Sequence, residues 1–141
     1  MGMMNMIPGI QATGDALHAN RVAMDVIAEN IANANTTRTA DGKPYQRKEV
    51  LFESYLPVVE GAQSGFESVR IGGIARDPMP GERQYNPGHP HADAEGFLEM
   101  PNVQVSMEMV DLITTSRAYE ANLNVIKTSR QMAMQTLAIG R

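Results

Sequence analysis

Apolar residues recur with helical spacing at both ends of the chain, and this paired periodicity narrows the possible folds more than any other feature. Near the N-terminus Ile10, Leu17, Met24 and Ile31 repeat at seven-residue intervals. Toward the C-terminus Val105, Met109, Leu112, Ser116, Tyr119, Leu123, Ile126, Arg130, Ala133 and Leu137 alternate steps of four and three, and eight of these ten positions are apolar. Such a line is the seam of a helix that packs on another helix. It leaves most of each helix polar, so its natural partner is a second narrow seam rather than a broad globular core. The expectation is a mainly α fold with a small β part, in which long N- and C-terminal helices pair as a coiled coil.

Punctuation in the middle of the chain sets the boundaries. Residues 1–35 read as the first helix, 36–101 as a Gly/Pro-punctuated β-rich region and 102–141 as the second helix. The first helix is expected to begin near Asn5, because Pro8 fits a first turn but not a helix interior. It is expected to stop at Asn33 to Asn35, since Asn readily adopts the left-handed conformation that closes helices. Gly9 and Gly14 each cost ~1 kcal/mol relative to Ala, so this helix depends on packing rather than propensity. Strand candidates are Tyr45 to Phe52, Ser68 to Ala75 and Gly96 to Met100, each bounded by turn residues. The second helix is expected to open after Pro101 with Asn102 as N-cap, and to close at Gly140.

Composition excludes several functions. With 141 residues the chain suits one domain, or a small domain on a helical stalk. Aromatic residues make up 5% and Trp is absent, so a compact enzyme core is not evident. The net charge of −4 comes without any basic stripe, which argues against nucleic acid as a partner. Absence of Cys removes thiolate metal sites and a cysteine nucleophile. The start MGMMNMIPGI has neither a basic n-region nor a continuous apolar stretch, so no cleaved signal peptide is expected. No run approaches the ~20 apolar residues of a membrane span.

The most enzyme-like stretch is His89-Pro90-His91-Ala92-Asp93-Ala94-Glu95, whose imidazoles and carboxylates are the groups a zinc or iron site would use. The prolines stiffen this loop without placing those groups on one face, and an ordered turn capped by Asp93 is the simpler reading. Arg117, Tyr119, Glu120 and Asn122 lie on adjacent turns of the C-terminal helix. A hydrolase role for Glu120 would need a second titratable group in a cleft. Flanking charges beside a seam Tyr fit the pattern better. Asn30, Asn33 and Asn35 form a polar helix end able to pair with backbone of a neighbouring subunit. Met24, Met107 and Met109 read as adaptable packing. Neither a phosphate-binding loop nor a Ser-His-Asp set is apparent.

These motifs have a familiar order. The run from Asn30 to Thr36, together with Ser116 to Asn122, resembles the bacterial flagellar axial proteins of rod and hook. More narrowly, Pro87-Gly88-His89-Pro90-His91-Ala92-Asp93, then Gly96-Phe97, then Met100-Pro101-Asn102-Val103, looks like the C-type proximal rod subunits of the basal body. Phe97-Leu98 stands where that family leads one to expect a Tyr-Val type pair, and the Met-rich leader before Pro8 is irregular. The resemblance implies terminal helices in the inner layer of a tubular assembly, with the middle of the chain outside. It implies a structural subunit of the periplasmic drive shaft, exported unfolded by the flagellar type III apparatus. The implied partners are other rod subunits, further copies in a helical assembly and the adaptor to the membrane ring, with no cofactor and no small-molecule substrate. Two rival readings are a coiled-coil adaptor in a closed soluble oligomer and a small metal-dependent hydrolase using His89, His91 and Asp93.

Overall fold

The computed structural model describes residues 8–59, 62–63 and 67–139. Two helices dominate it: α1 (Pro8–Ala32) and α2 (Val105–Ile139), with six short strands between them. The expected helix start at Asn5 and the stop at Gly140 fall outside the described residues. At 1.5 Å per residue α1 is about 37 Å long and α2 about 52 Å. No described helix is long and apolar enough to cross a membrane.

Helix α1 ends where the Asn-rich run begins. The Asn33 amide nitrogen bonds back to the Glu29 and Asn30 carbonyls, and its side-chain Nδ2 donates to the Glu29 oxygen at 2.9 Å. Thr36 Oγ1 then donates to Asn33 Oδ1, holding the turn that leads away. Carbonyls left unpaired at a helix end are thus satisfied by the residue that stops it.

The helices pack on each other and run antiparallel, since Asn30 at the end of α1 meets Glu108 at the start of α2. Along α2, Leu112, Ser116, Tyr119, Leu123, Ile126 and Ala133 are half-buried, in the expected three-four rhythm. Val105, Met109, Arg130 and Leu137 of the same line are exposed. On α1 the deepest residues are Ala19, Ala23, Val26, Ile27 and Asn30, while Ile10, Leu17, Met24 and Ile31 flank them half-buried. The difference from a single narrow seam has a plain cause. α1 is covered on two sides, by α2 and by a β-hairpin, so its buried face is wider than one partner would make it. Alanines along its centre let both neighbours approach.

That hairpin joins β1 (Lys48–Tyr55) and β4 (Ser68–Arg76) antiparallel, with Val50 opposite Ile74 and Ser54 opposite Val69. The register shifts between Leu51 and Phe52, so Gly72 stands unpaired as a bulge that adds local twist. The hairpin lies along α1, from Lys48 beside Asn30 to Tyr55, whose hydroxyl donates to Asp15 at 3.0 Å. Two small pairs complete the β part: β2 (Val58–Val59) with β3 (Ala62–Gln63), and β5 (Arg83–Tyr85) with β6 (Phe97–Glu99).

Three expectations need correction. Strand β1 starts three residues later than Tyr45, because Tyr45 and Arg47 give their amides to the Thr36 carbonyl and the Asn102 side chain instead of a ladder. Strand β6 is shorter than Gly96 to Met100: Gly96 adopts φ +82° in the turn before it, and an added Cβ there would sit 3.0 Å from Pro87 and the Tyr85 ring. Asn102 is not the N-cap of α2, which begins at Val105. Its Oδ1 accepts from the Arg47 amide at 2.7 Å, and its Nδ2 donates to the carbonyls of Asp77 and Met79. It ties both hairpin strands to the approach of α2.

Candidate functional site

Where α1 ends and α2 begins, polar side chains from three parts of the chain meet in a buried cluster. Asn30 is 0% exposed. Its Oδ1 accepts from the Lys48 amide and the Tyr45 hydroxyl, each at 2.9 Å. Its Nδ2 donates to the Lys48 carbonyl at 2.9 Å and to Glu108 Oε2 at 3.1 Å. The carboxamide thereby takes the place of a neighbouring strand at Lys48, answering both its backbone groups. Asn30, expected at a contact between subunits, is instead consumed inside its own, because every bond a carboxamide makes is used there.

Glu108 is the other deep member. Its Oε1 accepts from Arg47 Nε at 2.6 Å, and Arg47 also lies 3.6 Å from Asp111. The bond to Glu108 pushes the Arg47 guanidinium still further toward its charged form, against the opposing effect of burial. Burial, reinforced by the negative charges of Glu29 and Glu108, pushes the Tyr45 phenol up to about 12. The sign follows: a folded-state value above the usual ~10 means this group contributes stability fully below pH ~10, which fades as pH rises toward 12. Two units correspond to about 3 kcal/mol. Wild-type protein should therefore lose stability over that interval in denaturant titrations, and Tyr45→Phe should show a visibly flatter decline.

The loop from Asn86 to Gly96 forms a second ordered feature. Asp93 Oδ1 accepts from the Phe97 amide at 2.7 Å and the Glu95 amide at 3.1 Å, while Oδ2 accepts from Arg83 at 2.8 Å. The Phe97 amide, with Arg83 assisting, holds the Asp93 carboxyl below its ordinary range. His89 Nδ1 accepts from the His91 amide, and His91 Nδ1 pairs with Thr37 Oγ1 at 2.9 Å. The residues of the metal-site reading are thus engaged in turn structure, and no three metal-binding groups converge among the described residues. An open groove of about 440 Å³ runs past Arg38, Arg83, His91, Asp93 and Glu99. Glu120 lies exposed on α2 and outside this lining, so the groove does not supply the second group its hydrolase role required.

The other expected residues fall on different surfaces. Pro87, Gly88 and Pro90 are exposed and His89 half-buried, whereas Pro101 is buried beside the half-buried Asn102. Asn33 is a half-buried cap and Asn35 is exposed. Arg117 and Glu120 point to solvent, and Asn122 is half-buried beside Leu123. From the edge of the buried line of α2 round to its outer side, Met109, Val110 and Ile113 are 51%, 62% and 54% exposed and form one apolar patch at neighbouring helical positions. Met132, Met134 and Leu137 are exposed on the far end. Sequence reasoning missed Tyr45, Arg47 and Glu108. Glu108 stood off the periodic line, which placed Met109 before Leu112.

An antiparallel helix pair whose second helix keeps large apolar side chains in solvent has the kind of surface on which subunits assemble. Comparison makes this specific. A family described as flagella basal body rod protein matches residues 10–38, and one described as flagellar basal body rod FlgEFG protein C-terminal matches residues 94–139. The flagellar basal-body rod protein FlgC of Yersinia enterocolitica is 39% identical over 138 residues, covering 98% of this chain and 100% of that protein. Its counterpart in Borreliella burgdorferi is 39% identical over 149 residues, covering 96% and 98%, and that of Bacillus subtilis 35% over 150 residues, covering 98% and 100%. The chain belongs to the FlgC family of flagellar basal-body rod proteins, structural components of the flagellum rather than enzymes.

Proposed function

We propose that the subunit builds the rod through its terminal helices, which pair as a coiled coil within the subunit and leave the outer apolar face of α2 for neighbouring subunits. The observation that carries this reading is the patch of Met109, Val110 and Ile113, three large side chains held in water on a rigid helix. Half-buried Leu112, Ser116, Tyr119, Leu123, Ile126 and Ala133 supply the heptad line of the intramolecular pair. Exposed Val105 and Leu137, with Ile10, Leu17, Met24 and Ile31 partly covered, extend the contact surface along both helices.

The product is the periplasmic drive shaft that carries torque outward, and its neighbours are other rod subunits together with the adaptor to the membrane ring. Export is by the flagellar type III apparatus, in keeping with a subunit that need not fold before it reaches its place. Repeated, non-closing contacts between such subunits generate a tube. Ile113→Asp tests the reading. The variant protein is expected to keep its helical content, because the position faces solvent in the free subunit. It is expected to be absent from isolated basal bodies and to leave cells non-motile. Normal incorporation would contradict the proposed surface.

A further inference from the structure

We infer that the buried cluster of Asn30, Arg47 and Glu108 is the register key of the helix pair: it fixes which rung and which face of α2 meets α1, and so leaves the Met109–Ile113 patch outside. The inference rests on the reading of that patch as the assembly surface, but concerns how the subunit presents it.

The need for a key follows from the seam. Leu112, Tyr119, Ile126 and Ala133 recur at seven-residue intervals, and so do Ser116, Leu123, Arg130 and Leu137. Sliding α2 by one heptad, about 10 Å, would bring Tyr119, Ile126 and Ala133 to the positions of Leu112, Tyr119 and Ile126 and Leu123 to that of Ser116, with Arg130 at the position of Leu123 as the one poor match. Helix α2 is 35 residues long against 25 for described α1, and Leu137 near its far end is exposed, so a further heptad is at hand to take up the contact. Rotation is a second hazard, because the first turns of α2 are apolar on the outside as well. Apolar packing along the seam separates the observed register from its neighbours by little more than the placement of Arg130.

Glu108 does select it. It is 1% exposed and on the same face of α2 as Leu112 and Tyr119, and in the observed register alone it meets both Arg47 at 2.6 Å and Asn30 at 3.1 Å. Moved by one heptad or turned by a third of a rotation, the carboxylate leaves those partners, and Asn30 loses one of its acceptors. Buried polar groups of this kind are poor sources of net stability but effective at rejecting wrong registers.

The absence of Cys from the sequence makes single introduced thiols a clean probe. Leu112→Cys and Leu137→Cys, each in the full chain, report the inner and far-end positions by their maleimide labelling rates. With Glu108 present, position 112 should label slowly and position 137 fast. In Glu108→Leu the chain should remain helical, since Leu supplies its own burial and Arg47 retains Asp111. Labelling at 137 should then fall about tenfold as slipped registers cover it, while the chain ceases to incorporate into basal bodies. Glu108→Gln, which keeps an acceptor for Asn30, should hold the native pattern. If Glu108→Leu does not fold, Glu108→Met carries the same test, because it likewise removes both the Arg47 and the Asn30 contact of that carboxylate. A folded variant of either kind with unchanged labelling at both positions overturns the inference. Native labelling in Ile113→Asp combined with normal incorporation would instead contradict the assembly surface and leave the key untouched.

Discussion

Asn30→Asp is expected to unfold the end of the bundle where α1, β1 and α2 meet. The substitution is nearly isosteric, so the loss would not come from volume. It replaces a group that donates to the Lys48 carbonyl and to Glu108 by an oxygen that can donate to neither. A new carboxylate would then face Glu108 at the distance of a former hydrogen bond, in a place with 0% exposure for the residue. Each buried group left without a partner costs about 1–3 kcal/mol, and an unpaired buried charge costs more. A total above about 4 kcal/mol is a large part of the stability of a domain this size. Circular dichroism melts should show a lowered transition or none, and amide exchange across 26–34 and 45–50 should lose its protection. Asn30→Asp with wild-type melting would show that the cluster contributes little.

Leu123→Asp carries the second large effect, and it acts at the helix pair itself. Leu123 is half-buried on the inner line of α2, between Tyr119 and Ile126. Placing a carboxylate against α1 there costs several kcal/mol, on the order of 2–4, unless the helices part to hydrate it. Parted helices cannot present a fixed outer face, so the prediction is loss of assembly and of motility. On the proposed export of the unfolded chain, secretion of the variant should continue. Normal swimming with normal incorporation of Leu123→Asp would remove Leu123 from the seam.

The two helices were legible because periodicity is a property of many residues at once: Leu112, Tyr119, Leu123 and Ile126 stand where the spacing placed them. The stop at Asn33 was legible from the residue type, through the left-handed closure that Asn favours, and the structure adds its side chain donating to the Glu29 carbonyl. Strand β5 was not, since Arg83, Gln84 and Tyr85 are all exposed and carry no alternation, and only their pairing with Phe97–Glu99 makes them a strand. Asn102 misled because the same residue type that caps helices also satisfies loop backbone, and the choice depends on Arg47, Asp77 and Met79, which are distant in sequence. The cluster was hidden for the same reason. Asn30 lies 18 residues from Lys48 and 78 from Glu108, and no local pattern connects a helix-end amide to an acid in the first turn of another helix. An acid there is adequately explained by the helix dipole, which conceals its tertiary role. The family motifs, by contrast, pointed to the assembly without revealing which of their residues hold the subunit together.

The central claim is that the outer apolar face of α2 is spent on neighbouring subunits in the rod. Labelling of a single thiol at Ile113→Cys tests it most directly, first in the free subunit and then in intact basal bodies from motile cells. The position is 54% exposed in the isolated chain, so rapid modification is expected there. In basal bodies the thiol should resist modification until the rod is dissociated, while a control thiol at Gly88→Cys on the outer loop stays reactive. Equal reactivity of the Ile113→Cys thiol before and after assembly would contradict the account.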